Sequence, residues 1–314
     1  MPALARLAQL VGTLLAAAVL VFMSMSVLPG DAAQLRLGMN ADPEAVAELR
    51  RAMGLDRSVP ERFVRWLAGA FVGDLGTSST YDVPVSRLIA ERATVSVPLA
   101  GLAVTLSVGV ALPAGLLAAV RRRRLADRVV SALAQVGLSV PNVWLGLMLI
   151  WLFAIVLAAT SAGGFPGWDA GLGAGLAALV LPAIALATPQ AAILTRLTRT
   201  AVVEAMDEDY VALARAKGRS PSGAVVAHAL PNAWAPILTV IGLQFGFLLA
   251  GGIIIETVFN LPGLGRLLFQ AVAQRDVPLV QGIVLVLVAA VIAVNALCDA
   301  AAAWTNPKQR REPS

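Results

Sequence analysis

The sequence holds very few of the residues from which catalytic and metal sites are usually built. It has one cysteine, Cys298, and one histidine, His228, in 314 residues. A single cysteine excludes an internal disulfide and a cysteine-based metal site, and one histidine cannot build a typical zinc centre. The phosphate-binding pattern GxxxxGK(S/T), the zinc pattern HExxH and the nucleophile pattern GxSxG are also absent from the sequence. We therefore expect a chain that is not an enzyme and that does not hydrolyse ATP by itself.

Charged residues are scarce as well. They make up 14% of the chain against 58% hydrophobic residues, and the mean hydropathy is +0.80. A soluble domain of this length does not need so much apolar sequence for its core, so the composition indicates a membrane protein. In such a protein the formal charge of +5 indicates orientation across the membrane rather than binding to nucleic acid.

Apolar runs without charge predict the membrane spans. Each is long enough for a span of about 20 residues. The third run should hold one helix, about 130–158, and then a glycine-rich outer loop. The first is longer than the apolar core of a signal peptide, which favours an uncleaved anchor over a cleaved leader. The six runs are 7–30, 93–120, 129–168, 170–195, 220–255 and 277–298.

The distribution of basic residues predicts the orientation of these spans. The short outer loops would hold only Arg266 and Arg275 if the N-terminus were inside the cell. Basic residues accumulate on the cytoplasmic side, so both termini are expected there. The inner segments would then hold Arg6, Arg121 to Arg124, Arg128, Arg196, Arg199, Arg215, Lys217, Arg219, Lys308, Arg310 and Arg311.

The segment between the first two spans is expected to lie outside the cytoplasm and to be helical. Apolar residues recur at helical spacing in 43–53 and again in 60–71, where Phe63, Trp66, Leu67 and Phe71 share one side. An amphipathic helix with a tryptophan commonly rests on the membrane interface. Docking of an external protein is the alternative for this surface.

The longest polar run after residue 100 is Glu204–Pro236, between two apolar runs. Ser220 followed by Pro221 is typical of a helix start, because serine can accept a free backbone N–H and proline lacks one. Pro231 and Pro236 should prevent one uninterrupted helix into the next span, leaving a short surface helix at about 221–229 and a span at about 237–256. An ordinary solvated loop is the alternative to a docking surface.

The spacing inside this run resembles the cytoplasmic signature of ABC importer permeases. In that family a glycine is followed after nine residues by I-x-L-P; here Gly218 is followed after nine residues by His228-Ala-Leu230-Pro231. Ala212 stands where the general family has glutamate, and His228 where it has isoleucine. The branch for dipeptides, oligopeptides and nickel reads ARAKG and HALxNA, as in residues 214–218 and 228–233. Further phrases of that branch are similar to Leu28-Pro-Gly-Asp31, Gly54-Leu-Asp56, Gly73-Asp-Leu-Gly76, Glu256-Thr-Val-Phe259, Pro262-Gly-Leu-Gly-Arg266, Arg275-Asp276 and Asn306-Pro307.

The resemblance implies an all-α polytopic membrane protein with six transmembrane helices, both termini cytoplasmic and a helical extracytoplasmic insert between the first two. The expected parts are a first helix in 1–30, the insert in 31–92, a five-helix core in 93–303 and a cytoplasmic tail in 304–314. A cytoplasmic coupling loop, residues 196–236, would dock on an ATPase. Its docking residues would be Ala212, Ala214, Arg215, Lys217, Gly218, Ser220, Pro221, His228, Leu230 and Pro231.

The resemblance also implies an assembly in the bacterial cytoplasmic membrane. A second homologous permease subunit, two cytoplasmic ATPase subunits and an extracytoplasmic substrate-binding protein would be the partners, beside membrane lipid. This chain would bind no cofactor, while ATP and Mg would be used by the ATPases. Peptides are the expected cargo, with nickel or a metal chelate as the alternative. An ion-driven secondary transporter and a membrane scaffold are the alternatives from other classes.

Polar residues in and beside the apolar runs are the remaining candidates for function. Glu256 is expected either to cap the outer turn at Pro262 and Gly263 or to line the outer mouth of a pathway. For Arg266 and Asp276 the alternatives are likewise a structural role and lining of the outer mouth. Asp299 is expected to play a structural role at the end of a span. Bridging between helices is the expected role of Gln135, Asn142, Gln190 and Gln244, and lining of a pathway is the alternative.

Overall fold

The computed structural model describes residues 2–27, 37–38, 41–52, 54–161 and 163–305, and these are mostly helical. The sequence phrases at Leu28–Asp31 and Asn306-Pro307, together with Met53, lie outside the described residues. A π-helix at Trp151–Val156 continues α6, and a 3-10 turn at Trp168–Ala170 precedes α7. The α-helices are α1 (Pro2–Val27), α2 (Pro43–Ala52), α3 (Val59–Phe71), α4 (Val85–Val120), α5 (Leu125–Ser139), α6 (Asn142–Ile150), α7 (Leu172–Met206), α8 (Asp209–Ala216), α9 (Pro221–Ala224), α10 (Leu230–Val258), α11 (Leu264–Ala273) and α12 (Val277–Thr305).

Six membrane spans are confirmed when a bent helix pair is counted as one. The helices α1, α4, α7, α10 and α12 are each long and apolar enough to cross a bilayer, and α5 with α6 forms the pair. Large apolar side chains on these spans, such as Leu20, Val110, Leu133 and Phe247, expose more than half of their surface. Such side chains are compatible with hydrocarbon rather than with water. The predicted helices in 43–53 and 60–71 are confirmed as α2 and α3.

The third span is broken, so the prediction of one helix over about 130–158 is wrong. The chain turns by 94° between α5 and α6. Val140 is extended, with φ −84° and ψ 121°, and Pro141 follows with ψ 136°. Proline has no N–H for the helix and pushes the preceding residue out of the helical region, which accounts for the break at this place.

The expected interruption at Pro231 and Pro236 is also wrong. Helical backbone runs from α9 through a π-helix at Val225–Ala229 directly into α10. Pro231 lies in the first turn of α10, where its missing N–H costs little, and Pro236 lies inside the helix. A π-turn is wider than an α-turn, so it gives the Pro231 ring room beside the preceding carbonyls. The chain therefore enters the span without leaving the helical conformation.

The described chain divides into two compact units, of which the first comprises residues up to Thr94 together with Gly263–Ile292. Its core joins the first turns of α4 to α11 and α12, with Val85, Leu279 and Ile283 fully buried. Helix α3 packs on α1 through aromatic rings. The centroid of the Phe22 ring lies 5.3 Å from that of Phe63 and 5.8 Å from that of Trp66.

The second unit comprises Val95–Pro262 and the residues from Ala293 onward. Helix α7 lies at its centre and packs against α5, α6 and α10. One apolar cluster, which includes Leu99, Leu186 and Ile255, joins α4, α7 and α10. A second cluster joins the same helices to the coupling loop and includes Val211 and Val225.

Candidate functional site

The part of the predicted coupling loop that lies between α7 and α10, residues 207–229, is built from well-defined local structure, and the name coupling loop is used for this part from here on. Helix α7 ends at Met206, and the N–H of Asp207 reaches the carbonyls of Val203 and Glu204 at 3.2 Å each. The chain then forms α8, a helix of 8 residues that was not predicted. An aspartate at the start of α8 and the alanines within it are the sequence signals for this helix.

Gly218 ends α8 in a conformation that favours glycine. Its φ is +91°, and the N–H of Arg219 donates to the carbonyl of Ala214 at 3.3 Å. This is the Schellman type of helix end, in which the residue after the cap adopts a positive φ. Gly218 is therefore a specified helix end.

Ser220 starts the next helical segment, as predicted. Its hydroxyl oxygen accepts a hydrogen bond from the N–H of Gly223 at 3.2 Å. Its carbonyl accepts the N–H of Ala224 at 2.9 Å. The serine thus satisfies one of the backbone donors that the start of a helix leaves free.

The coupling loop has a buried face and an exposed face. Val211, Ala224, Val225 and Ala229 are buried in the second unit's apolar cluster, beside residues of α4 and α7. Leu213 is 56% exposed on the opposite side. Burial of one face fixes the loop on the ends of the spans, while the other face stays accessible to a partner.

Tyr210 fastens α8 to the start of α10. Its hydroxyl makes a side-chain hydrogen bond with Asn232. Partial burial and the nearby Glu208 carboxylate raise the pKa of Tyr210 above its ordinary value. The phenol therefore stays neutral at physiological pH, and the hydrogen bond does not depend on titration there.

The predicted docking residues occupy one continuous stretch, but their surroundings differ. Lys217, Gly218, Ser220 and Pro231 are exposed, while Ala214 and Leu230 are half-buried. The side chains of Ala212, Arg215, Pro221 and His228 lie outside what the structure describes.

The predicted outer residues are divided between the two units. Glu256 and Pro262 belong to the second unit, and Gly263, Arg266 and Asp276 to the first. Glu256 is buried, and its carboxylate accepts a hydrogen bond from the Ser96 hydroxyl at 2.5 Å. This bond joins α10 to α4, and the carbonyl of Glu256 also accepts the N–H of Leu261 at 2.8 Å.

Three of the predicted outer residues lie in or beside helix α11: Gly263, Arg266 and Asp276. Gly263 is buried at the start of the helix, where its carbonyl accepts the N–H of Leu267 at 3.1 Å. Arg266 lies in the first turn of α11 and is half-buried. Asp276 follows the end of the helix and is fully buried.

Asp276 holds two distant pieces of the first unit together, a connection that the sequence did not reveal. Its carboxylate accepts the Ser78 hydroxyl at 2.5 Å and the N–H groups of Ser79 and Thr80 at 3.1 and 3.0 Å. It also accepts the N–H of Leu279 at 3.2 Å, which caps the start of α12. The geometry describes a structural clamp around a buried carboxylate.

Polar side chains inside the spans also link helices. The Gln244 amide donates to the backbone carbonyl of Gln190 at 3.0 Å, which joins α10 to α7. Arg196 donates to the side-chain oxygen of Gln135 at 3.4 Å, joining α7 to α5. These contacts agree with the expected bridging role for the side chains of Gln244 and Gln135, whereas Gln190 takes part through its backbone carbonyl.

A partly buried ion pair between α5 and α7 was missed. Asp127 receives two hydrogen bonds from the Arg199 guanidinium, at 2.5 and 2.8 Å. The sequence signal was Asp127 itself, a single acidic residue among the arginines between the second and third runs. Nothing in the sequence named its partner, 72 residues further along the chain.

The geometry is that of a helical membrane protein with a partly exposed loop between two of its spans. Among the residues that the structure describes, no group of three or more His, Cys, Asp or Glu side chains is placed to hold a metal ion. The class defined by these features is the multi-pass helical membrane protein.

Comparison with known proteins identifies the family. Residues 111–311 match the family model "Binding-protein-dependent transport system inner membrane component", and residues 3–100 match the model of its N-terminal region. The chain belongs to this family of multi-pass inner-membrane permease subunits.

Relatives and solved structures agree with this assignment. A protein of Brucella abortus (strain 2308), named as a permease of a peptide transport system, is 42% identical over 308 residues, covering 98% of each chain. The glutathione transport system permease protein GsiC of Salmonella paratyphi A is 39% identical over 307 residues, again covering 98% of each chain. An inward-facing structure of the MetNI methionine ABC transporter matches with a TM-score of 0.55 and 19% identity, over 70% of this chain and 96% of that one. At that identity the last match supports the fold alone.

Proposed function

We propose that the chain is one of two permease subunits of an ATP-driven importer that moves short peptides into the cell. An extracytoplasmic binding protein delivers the peptide, and two cytoplasmic ATPase subunits bind ATP and Mg and supply the energy. A second, homologous permease subunit completes the pathway. Both termini of the chain and the coupling loop lie on the cytoplasmic side.

The coupling loop is the observation that carries this proposal. It is ordered by helix caps at Gly218 and Ser220, and its buried face is packed against the spans. Its exposed face carries the apolar side chain of Leu213 near the charged residues Lys217 and Arg219. An exposed leucine surrounded by charge is typical of a protein interface with an apolar centre and a polar rim.

The mechanism follows from the connections of this loop. ATP-driven closure of the ATPase pair displaces α8 and the segment after it. Helix α7, with 35 residues, and α10, with 29, flank the loop directly and carry the displacement into the membrane. The ATPases thereby shift the spans between two arrangements, a population change driven by a differential interaction with each state.

Peptides are the proposed cargo because of the relatives. The Brucella abortus relative is named for peptide transport, and the Salmonella paratyphi A relative for glutathione, which is a tripeptide. Both align with nearly the whole of this chain. The external binding protein makes the primary selection among peptides in this proposal.

A crosslinking experiment tests the docking of the ATPase. Leu213→Cys in a Cys298→Ser background places a single thiol on the exposed face of the coupling loop. In the intact transporter we expect a bifunctional thiol reagent to join it to an ATPase subunit. Leu133→Cys is the matched control, because Leu133 is a similarly exposed leucine, at 66%, on span α5. Crosslinking of Leu133→Cys alone would contradict the docking site.

Uptake assays test the energy source in the same strains. Replacement of the phosphate-binding lysine in both ATPase subunits should abolish import of a labelled tripeptide, while the purified permease chain alone should hydrolyse no ATP. Import that continued without a working ATPase would instead indicate an ion-driven transporter.

A further inference from the structure

The cytoplasmic ends of three helices in the second unit meet at the ion pair between Asp127 and Arg199. Asp127 lies in the first turn of α5 and is 7% exposed, while Arg199 on α7 is 30% exposed. The guanidinium meets the carboxylate through its Nε and one terminal nitrogen, at 2.5 and 2.8 Å. Two parallel bonds fix the angle between the partners as well as their distance, which a single point contact does not.

The same carboxylate also fixes the turn that joins α4 to α5. The backbone N–H of Arg123 donates to Asp127 at 2.8 Å. Arg123 has a φ of +65°, which is unusual for a residue with a side chain. The bond to Asp127 offsets the cost of this conformation and pulls the end of α4 onto the start of α5. Asp127, a residue of α5, therefore also holds the turn that follows α4.

Arg199 lies near the C-terminal end of α7. It lies about two turns before Met206, where α7 ends and the proposed ATPase-docking segment begins. A displacement of the coupling loop reaches Arg199 through a continuous helix. The ion pair is the least exposed of the polar connections between α7 and this region, and through it Arg199 holds α5 and the turn before it; the Arg196–Gln135 contact and the Arg122–Asp207 pair are exposed.

We propose that Asp127 and Arg199 form a latch that transmits the movement of the coupling loop to α4 and to the broken span of α5 and α6. They are positioning residues, and neither needs to touch the peptide. The latch rests on the proposed function, because it requires a motor that moves the coupling loop. Without the latch, α7 moves with the ATPase and the other two helices do not follow.

The decisive measurement is the number of peptides imported per ATP hydrolysed. The complete transporter, with its binding protein, is reconstituted in liposomes with labelled Ala-Ala-Ala and labelled glutathione as probes. In Asp127→Asn and in Arg199→Gln we expect this ratio to fall about tenfold, within the usual range of coupling between sites, while ATP hydrolysis continues. Arg199→Lys, which keeps the charge and loses the two-pronged contact, should give an intermediate ratio.

The double variant distinguishes a shared role from two separate ones. Residues that act only through each other are not additive, so Asp127→Asn with Arg199→Gln should fall no further than either single variant, whereas independent effects would multiply to about a hundredfold. The matched control is the exposed pair of Arg122 and Asp207, whose closest atoms are 3.1 Å apart with exposures of 42% and 64%. Arg122→Gln should leave the ratio unchanged, because solvent-exposed ion pairs contribute little.

A purely structural role gives a different result from the latch. It would lower the amount and the thermal stability of the complex but leave the import ratio of each surviving complex at the wild-type value, and that outcome overturns the latch. Multiplicative loss in the double variant also overturns it. Wild-type import that needs no ATP would overturn the proposed function instead, so the two failures can be told apart.

Discussion

The glycine at position 218 can be explained by its backbone conformation or by close contact with a partner, and a single mutation does not separate these two causes. Its φ of +91° favours glycine for the backbone alone. A side chain built on it would meet no other atom of the chain within 4 Å. A bulky residue there would therefore strain the backbone and would also protrude toward any partner in contact with the loop.

A second glycine in the chain allows these two effects to be distinguished. Gly73 follows α3 as Gly218 follows α8, with a φ of +82° and open space around it. The N–H of Asp74 donates to the carbonyl of Gly69 at 2.9 Å, in the same pattern as Arg219 and Ala214. The two positions thus make the same demand on the backbone, but only Gly218 lies in the coupling loop.

We predict that Gly218→Trp abolishes peptide uptake while the protein remains in the membrane. The local backbone strain of about 1–2 kcal/mol is the same at both glycines, so Gly73→Trp is expected to lose little uptake. Asparagine tolerates a positive φ, and Gly218→Asn should give a smaller loss than tryptophan. Uptake and membrane content are measured in the same cells. Normal uptake in Gly218→Trp would show that no partner fits closely against this residue.

The sequence revealed local features of the candidate site more readily than long-range ones. The cap at Ser220 was predicted because a serine before a proline interacts with backbone only three residues away. The clamp of Asp276 on Ser78 spans 198 residues. A pairing of this kind depends on how the helices pack, so the residue types alone did not indicate it. The same reason explains why the sequence indicates Arg199 only as a basic residue of the cytoplasmic side.

Among the helices, close packing at glycine is confined to particular positions. A side chain carbon added at Gly115 on α4 would lie 2.7 Å from the Cβ of Thr198 and 2.9 Å from the carbonyl oxygen of Thr195, both on α7. The same addition at Gly109 or Gly101, also on α4, would meet nothing within 4 Å. Small residues permit the close approach of helices in membranes, and here only Gly115 of these three does so.

We predict that Gly115→Ala destabilises the protein by about 1–3 kcal/mol, the usual cost of an overpacked contact. Gly109→Ala on the same helix should be neutral or stabilising by up to about 1 kcal/mol, because alanine favours the helix over glycine. Thermal unfolding of the purified protein in detergent measures both. Equal midpoints for the two variants would mean that α4 and α7 do not meet closely at Gly115.

The apolar runs predicted the number of spans but not the limits of the helices. Helix α4 begins at Val85, before its apolar run, and α7 continues to Met206, past Arg196 and Arg199. Arginine and glutamate are good helix formers, so a helix need not end where its membrane-crossing part ends. The break at Pro141 was visible only as a proline, and α10 shows that a proline inside a span need not break the helix.

At the scale of the whole chain, the bent pair of α5 and α6 decides which segments share a side of the membrane. A pair bent by 94° either crosses the bilayer as one broken span or turns back to the side from which it came. If it crosses, three spans separate Glu48 on α2 from Lys217 in the coupling loop, and the two residues lie on opposite sides. If it turns back, only two spans separate them and they lie on the same side.

We predict that the pair crosses and that Lys217 is cytoplasmic. Single cysteines at Glu48, Ser161 and Lys217, each in the Cys298→Ser background, are treated with a maleimide that cannot cross membranes. Glu48→Cys and Ser161→Cys should react in cells with a permeabilised outer envelope, and Lys217→Cys only in inverted membrane vesicles.

All three positions are exposed, so a lack of reaction reports the side of the membrane rather than burial of the residue. If the pair instead turned back, Ser161→Cys would react only in the vesicles, while Lys217→Cys, one span further along the chain, would react from outside together with Glu48→Cys. Reaction of Lys217→Cys from outside would remove the coupling loop from the reach of any cytoplasmic ATPase, and neither the docking surface nor the latch could then operate.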